Sequence, residues 1–514
     1  MMLHPWQALE HAARSWPHAD ALVFPHQMAC RSFAQYRAEA LALAGALSAR
    51  GVGAGDHVAL LAENRVEWAI VQLACAALRA VFVPLNTHYR KDDLAYALKQ
   101  SDSKALICST QYRSNPYLEN VTALRPSLPL LAHVFTLEED YPRLIAEGHG
   151  FTPVAAESNA VAALLYTSGT TGFPKGALLS HRAMMMVATN SAVRLGLAAG
   201  DRWTSIIPLF HCAGCILNLL GCLSQGAAYV GVPSFDPENM FRVIEGEDCT
   251  HLSGVPTSYL AMLDHPARTG YDLTSLKAGS CGGADCNPDV LKRCAAGFPM
   301  PGLSQVYGQT GGGTLFACPQ HDDPLRWETA GMALPQYELR IVNPDTLAVL
   351  PPGDIGEIQA RGPMVMEGYY NKPEATAETI TDGGWLRTGD LGYLRDDGRL
   401  VIAGGRLRDM IIRGGENIYP AEIENVLQQH EAIAEVAVFG VPDDYYGEIV
   451  GAAVKLATPV SASDLQALCA SRIAKFKVPA VIFTVDRFPL TPSGKIRKVE
   501  LRDWAKDGRM ETLA

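Results

Sequence analysis

No apolar run in this chain reaches the length of a bilayer span; the stretch after His211 is broken by Gly214, Asn218, Gly221 and Ser224. The start lacks the basic region and apolar core of a secretory leader. MMLHPWQALEHAARSW reads instead as an amphipathic surface helix, with Leu3, Trp6, Leu9 and Ala13 near one face. Both absences point to a cytoplasmic protein. A basic excess is lacking as well. The net charge of −11 disfavours nucleic acid as a partner, so an anionic substrate needs a local site. A zinc pattern is missing too. Twelve cysteines are scattered, and the C-x-x-C of Cys212 and Cys215 has no second pair at matching spacing, which Cys281 and Cys286 do not supply. These cysteines read as buried thiols. Internal repeats and low-complexity tails are absent.

What is present is a chain too long for one core, 514 residues, with an ordinary globular balance of 48% hydrophobic and 19% charged residues. SFAQYRAEALALAGALSARGV predicts a helix ending at Gly51 and Gly53, DHVALLAEN a buried strand, WAIVQLACAALRA a helix and AVFVPLN a strand. This rhythm, continued by SKALICS, implies α/β layering around a largely parallel sheet. A second α/β block runs from about Ser180 to Gly302. From about Ala330, YELRIVN, GEIQARG and RLVIAG read as short strands between turns, an antiparallel sheet or small barrel. The last stretch reads as a compact α+β unit. Pro420 opens one of its helices, and Ser461 and Asp464 sit at capping-box-like spacing before another.

The strongest local signal is LLYTSGTTGFPKGALLSHR, Leu164 to Arg182. An apolar strand feeds a loop of Thr, Ser and Gly with a lysine near its end. Small residues let backbone N–H groups approach a phosphate, hydroxyls add donors, and the lysine adds charge. It is not a Walker loop, because Lys175 lies between Pro174 and Gly176.

YTSGTTGFPKG resembles the phosphate loop of the adenylate-forming superfamily, which contains acyl-CoA synthetases, nonribosomal adenylation domains and beetle luciferases. Further motifs follow in the expected order: PLFHCAG, YGQT, WLRTGDLGY, GRLRDMIIRGGENIYPAEIE and LTPSGKIRK. The resemblance covers nearly the whole chain. It implies a large N-terminal domain, residues 1–405, of layered α/β subdomains plus a small barrel-like sheet. A hinge at Arg408 joins it to a mobile α+β domain, residues 406–514. It also implies a two-step ligation, in which a carboxylate attacks Mg·ATP to give an acyl-adenylate and a thiol then displaces AMP. The catalytic set it implies is Lys495, Thr310, Lys175 and His211. Thr167, Ser168, Gly169, Thr170, Thr171, Gly172 and Lys175 would cradle the β- and γ-phosphates. Gly282, Gly283 and Ala284 would line the adenine and acyl sites. Tyr307 would pack on adenine within the nucleotide motif that includes Gly308 and Gln309, and Thr310 would contact the α-phosphate. Asp390 would accept the ribose hydroxyls, Arg406 would donate to the ribose, and Lys495 would steady the transition-state charge. The segment Arg413–Asn417 would face the thiol.

His211 occupies the acyl-gate position in this resemblance; a histidine packed against the sheet is the alternative. FHCAG carries no acid to pair with an α-amine, which disfavours amino acids. Phe210, Ala213, Gly214, Val255, Pro256 and Cys281 suggest an apolar acyl pocket. No carrier-protein domain follows Lys495. AKFKVPAVIF, with Lys475 and Lys477, resembles the acyl-CoA synthetase version, although those lysines serve equally as solubilising charges. The expectation is an AMP-forming acyl- or aryl-CoA synthetase using ATP, Mg²⁺ and coenzyme A, with no nucleic-acid partner and with a homodimer left open. Three alternatives stay open: a freestanding enzyme loading a carrier protein, activation of an unusual nucleophile, and a catalytically weak adenylate-binding regulator. YGQTGGG departs from the pattern. Relatives usually continue Tyr-Gly-x-Thr with a glutamate that helps hold Mg²⁺, and here that position is Gly311. The metal ligands are therefore unassigned, with Glu328 and Asp285 as candidates.

Overall fold

The computed structural model describes all residues except 1, 154–156, 168–173, 284–285, 287, 345, 407–410, 419, 490–495, 497 and 514, and the side chains of 257, 403–406, 417, 421, 425 and 499. The chain divides into two compact units. The first comprises Met1–Thr87, Ala97–Tyr166 and Gly176–Gly405; the second comprises His88–Tyr96, Thr167–Lys175 and Arg406–Ala514.

The first unit is built on three sheets. One has seven strands in the order Gly302–Gln305, Ala278–Cys281, His251–Gly254, Arg202–Ser205, Ala228–Val230, Asp20–Phe24 and Ala29–Ser32. All its neighbours pair in parallel except the last two, which pair antiparallel. The second seven-stranded sheet has His57–Leu61 between Val81–Pro84 and Ala105–Cys108, in parallel register. His57–Leu61 is buried along its whole length, as parallel strands covered on both faces must be. The helix Val66–Leu78 is buried at nearly every position, including Trp68. The third sheet has four strands, Glu338–Val342, Gly356–Arg361, Leu386–Leu394 and Leu400–Arg406. The first three of these pair antiparallel, and the strand Leu386–Leu394, read only as a motif in the sequence, completes it.

Local chemistry sets the helix boundaries. Ser32 caps Phe33–Ser48 with a reciprocal bond to Gln35, two orphan donors satisfied at once. That helix stops at Ser48, earlier than the glycines suggest, and Gly51 takes the left-handed conformation in the turn beyond it. The second unit centres on a sheet whose long hairpin pairs Ile433–Asp443 with Gly447–Leu456. A shorter hairpin, Ile411–Arg413 with Glu416–Ile418, turns through Gly414 and Gly415, both at positive φ as its two-residue turn requires. Pro420 opens the helix Pro420–Leu427, and Ser461 caps Ala462–Arg472 by accepting the Asp464 N–H. Lys477 is buried in this unit and donates to both Glu422 oxygens, at 2.6 and 2.8 Å, so it is not a solubilising charge.

One packing feature was invisible in the sequence. The N-terminal helix spans Pro5–Ser15, and its cap, His4, lies against His181 with ring centroids 3.9 Å apart. Both rings are buried. Burial, with Arg79 adding to it, lowers the His4 pKa to about 4. Burial, with His4 and Arg79, lowers that of His181 to about 3. Between about pH 4 and 6.5 the unfolded chain therefore binds more protons than the folded one. Stability present above pH 6.5 is lost as the pH falls, by about 1.4 kcal/mol per histidine per pH unit. Denaturant titrations from pH 7 to 5 should show this loss, and it should flatten in a His4→Gln, His181→Gln double variant. A slope unchanged in that variant would contradict the assignment.

Candidate active site

The YGQTGGG segment follows directly on the parallel strand Gly302–Gln305. The backbone of Tyr307 is fixed on both sides: its N–H donates to Ala317 O at 3.2 Å, and its carbonyl accepts from Phe316 and Ala317 at 2.9 and 3.2 Å. Its ring packs against Phe316, centroids 5.6 Å apart. Held this way, the Tyr307 hydroxyl donates to Asp390 Oδ2 at 2.9 Å. Asp390 lies on Leu386–Leu394, a strand of the antiparallel sheet. Two residues expected to hold one nucleoside, 83 positions apart, thus meet directly.

The turn carrying Asp390 has its own support. Asp390 N–H donates to Thr388 Oγ1 at 3.1 Å, and Thr388 Oγ1 donates to Ile358 O at 2.7 Å. The buried Glu357 accepts from Gly389 N–H at 3.2 Å and from Gln359 at 3.1 Å, and pairs with Arg387 at 3.4 Å. Sequence reading missed Glu357. Its signal was an acid at an inward position of the strand GEIQAR, where an unpaired carboxylate is costly.

Thr310, Cys212 and His211 form a second cluster. Thr310 Oγ1 donates to Cys212 Sγ at 3.4 Å, and Cys212 Sγ lies 3.8 Å from His211 Nδ1. Burial raises the Cys212 thiol, but His211 and hydrogen bonds from Thr310 and Thr314 outweigh it and bring its pKa below the ordinary value. His211 Nδ1 accepts the Ala213 N–H at 3.2 Å, and the ring is exposed. It is not a core histidine packed against the sheet. A π-helical stretch, Ala213–Leu220, begins beside it. Cys212 and Cys215 form no thiol pair: Cys215 Sγ points to Cys212 O at 3.9 Å.

The glycines of the motif are not equivalent. A Cβ on Gly308 would lie 2.0 Å from Thr314 O, and one on Gly312 would lie 2.0 Å from the Phe316 ring. Neither neighbour can give way. At Gly311 the nearest atom is the flexible end of Met366, Sδ at 3.3 Å, and the backbone is not left-handed. So Gly311, where the resemblance leads one to expect glutamate, is the position of this run where steric space admits a side chain.

Of the remaining residues, Gly282 follows the strand Ala278–Cys281, and Gly283 sits at φ +78°. Gln309 accepts the Gly312 and Thr314 N–H groups through its carbonyl. In the second unit, Thr167 Oγ1 donates to Lys175 O at 3.2 Å, and Lys175 is buried. Ser168, Gly169, Thr170, Thr171, Gly172, Ala284, Arg408 and Lys495 lie outside the described residues, as does the side chain of Arg406. Among the described residues no group of acids, histidines or cysteines is placed to hold a metal ion. Glu328 is paired with Lys292 at 2.7 Å, and Asp285 is not described. Nor is any described helix long and apolar enough to cross a membrane.

The Tyr307–Asp390 pair presents an aromatic ring and a carboxylate together, an arrangement that suits a nucleoside. Known proteins agree. The chain matches the family model for AMP-binding enzymes over residues 9–370 and that for the AMP-binding enzyme C-terminal domain over 422–495. It belongs to the AMP-binding enzyme family, and it is an AMP-forming acid–thiol ligase that uses ATP, Mg²⁺ and coenzyme A. It is 40% identical to "Putative acyl-CoA synthetase YngI" of Bacillus subtilis (strain 168), covering 96% of both chains. It is 36% identical to a feruloyl-CoA synthase of Amycolatopsis sp, covering 95% of this chain and 98% of that one. Among solved structures it resembles a double mutant of the o-succinylbenzoate CoA synthetase MenE from Bacillus subtilis, bound with a product analogue. There the TM-score is 0.86 at 31% identity, over 99% of each chain.

Gly308→Ala and Gly312→Ala should each cost about 2–3 kcal/mol, seen as a lower Tm, whereas Gly311→Ala should stay within about 1 kcal/mol. Equal losses at all three positions would contradict this steric reading. Gly311→Glu should shift the Mg²⁺ dependence of pyrophosphate release to lower Mg²⁺, and superimposable titrations would show that position 311 does not bear on the metal.

Proposed function

We propose that this enzyme joins an uncharged, apolar-tailed acyl or aryl carboxylic acid to coenzyme A through an acyl-adenylate. The observation that carries the reading is the Tyr307–Asp390 bond, which presents an aromatic ring and a carboxylate together, as a nucleoside requires. The acyl side is argued from chemistry. Phe210–Gly214 offers no carboxylate for an α-ammonium, and Cys212, Cys215 and Cys281 are buried thiols.

In the first step a carboxylate oxygen of the acid attacks the α-phosphorus of ATP, the bond to the β-phosphate oxygen breaks, and pyrophosphate leaves. Asp390 accepts the ribose hydroxyls, Tyr307 packs on adenine with Gly308 and Gln309 shaping the turn, and Gly282, Gly283 and Ala284 line the adenine and acyl sites. Arg406 donates to the ribose. Thr310 holds the α-phosphate, and Thr167, Ser168, Gly169, Thr170, Thr171, Gly172 and Lys175 hold the leaving phosphates. Lys495 donates to the charge that grows on the α-phosphate and carboxylate oxygens, where a preorganised cation is worth most. Mg²⁺, when bound with the nucleotide, would supply charge neutralisation at the phosphates. In the second step the coenzyme A sulfur attacks the carbonyl carbon, the carbon–oxygen bond to AMP breaks, and the thiol proton passes to solvent. His211 gates the acyl group, Arg408 serves as hinge between the half-reactions, and the hairpin at Arg413–Asn417 faces the thiol.

A panel of short, medium and aryl acids, with free coenzyme A or carrier proteins as acceptor, should give AMP and thioester with coenzyme A. Thioester formed only on carrier proteins, or amide with an amine acceptor, would overturn the coenzyme A assignment. Lys495→Ala should abolish adenylation while largely sparing thioester formation from supplied acyl-adenylate; equal loss of both steps would refute its role. Arg408→Pro should slow the thioester step more than adenylation, and unchanged rates would remove the hinge from position 408.

A further inference from the structure

Cys281 and Cys286 flank the short turn that leads from the strand Ala278–Cys281 into the helix Pro288–Gly297. Their sulfurs lie 3.8 Å apart, in contact, and neither is in a disulfide. Cys281 is fully buried, whereas Cys286 is half-buried. Cys294, on the helix, is also buried near Cys281. Two thiols in contact are different from an isolated buried cysteine, which acts as a small hydrophobe. A disulfide needs the sulfurs to close to about 2.05 Å. Between the two cysteines in sequence, Gly283 sits at φ +78°, a conformation that favours glycine.

This turn is coupled to the nucleotide motif by direct contact. Val306 N–H donates to Cys281 O at 2.9 Å, and Val306 is the residue before Tyr307. A Cβ on Gly282 would lie 2.7 Å from Val306 O, so the two backbones are already at their closest approach. Tightening the turn has no slack to absorb it on that side.

We propose that Cys281 and Cys286 are a peroxide-responsive dithiol whose oxidation to a disulfide weakens nucleotide binding. The Cys286 sulfur, the accessible one, attacks a hydroperoxide oxygen as its thiolate. The O–O bond breaks, hydroxide leaves and takes up a proton as water, and Cys286 becomes a sulfenic acid. The Cys281 sulfur then attacks the Cys286 sulfur, and its thiol proton leaves with the sulfenic hydroxyl as a second water. Two thiols and one hydrogen peroxide give one disulfide and two waters, the sulfurs supplying both electrons. Burial, the Cys286 contact and the nearby Cys294 hold the Cys281 thiol well above its ordinary pKa, which fits the resolving role and not the attacking one. The loop closed is short, so its disulfide adds little stability and remains open to reduction. The effect on nucleotide binding rests on the function proposed above; the disulfide itself does not.

The test uses the full chain, reduced and then treated with hydrogen peroxide. Non-reducing peptide mapping should show a Cys281–Cys286 bond and loss of two of the twelve thiols. ATP affinity by titration calorimetry should fall several-fold and return with dithiothreitol, and Cys286→Ser should bind ATP normally and ignore peroxide. Phenylarsine oxide, a dithiol probe, should bind the wild type but not Cys286→Ser. A disulfide to Cys294, or both thiols still alkylatable after peroxide, overturns the dithiol. A Cys281–Cys286 bond that leaves ATP affinity unchanged overturns the switch while leaving the modification site standing.

Discussion

The Tyr307–Asp390 hydrogen bond is the constraint around which this site is organised. It joins the end of a parallel sheet to a strand of an antiparallel one. Neither partner can move alone, because each backbone is tied down by neighbours: Tyr307 by Phe316 and Ala317, Asp390 by Thr388 and, through Gly389, by Glu357. Such preorganisation is what electrostatic catalysis asks of a protein, since dipoles fixed before the reaction cost nothing to orient during it. A buried carboxylate such as Glu357 is tolerated because a guanidinium and an amide share its charge.

The same rigidity explains the glycine run. Gly308 and Gly312 are glycines because the chain doubles back against Thr314 and Phe316 with no room for Cβ. Gly311 is free of that demand, so glycine there is not a backbone requirement. The result is a motif whose steric skeleton requires glycine at 308 and 312 but not at 311. Close backbone approach also links Gly282 and Cys281 to Val306, the residue before Tyr307.

Much of this was legible in the sequence. Periodicity placed buried strands such as His57–Leu61 and helices such as Val66–Leu78, because a covered parallel sheet writes its burial as continuous apolar runs. The motifs named Tyr307 and Asp390, but only the fold shows that they touch. Other features were hidden for physical reasons. Glu357 looked like an ordinary strand residue until its pairing with the neighbouring strand Leu386–Leu394 was visible. The His4–His181 stack joins positions 177 apart, and no local pattern encodes a contact at that separation. Lys477 read as surface charge because burial of a lysine depends on its partner, here Glu422, which is supplied 55 residues away.

The central claim is that the acid's own oxygen attacks the α-phosphorus of ATP. The direct measurement uses an acid that yields coenzyme A thioester, labelled with oxygen-18 in its carboxylate, and mass spectrometry of the released nucleotide. The account predicts one oxygen-18 atom in the phosphate of AMP, and unlabelled pyrophosphate. AMP without label, or ADP with label in inorganic phosphate, would contradict it.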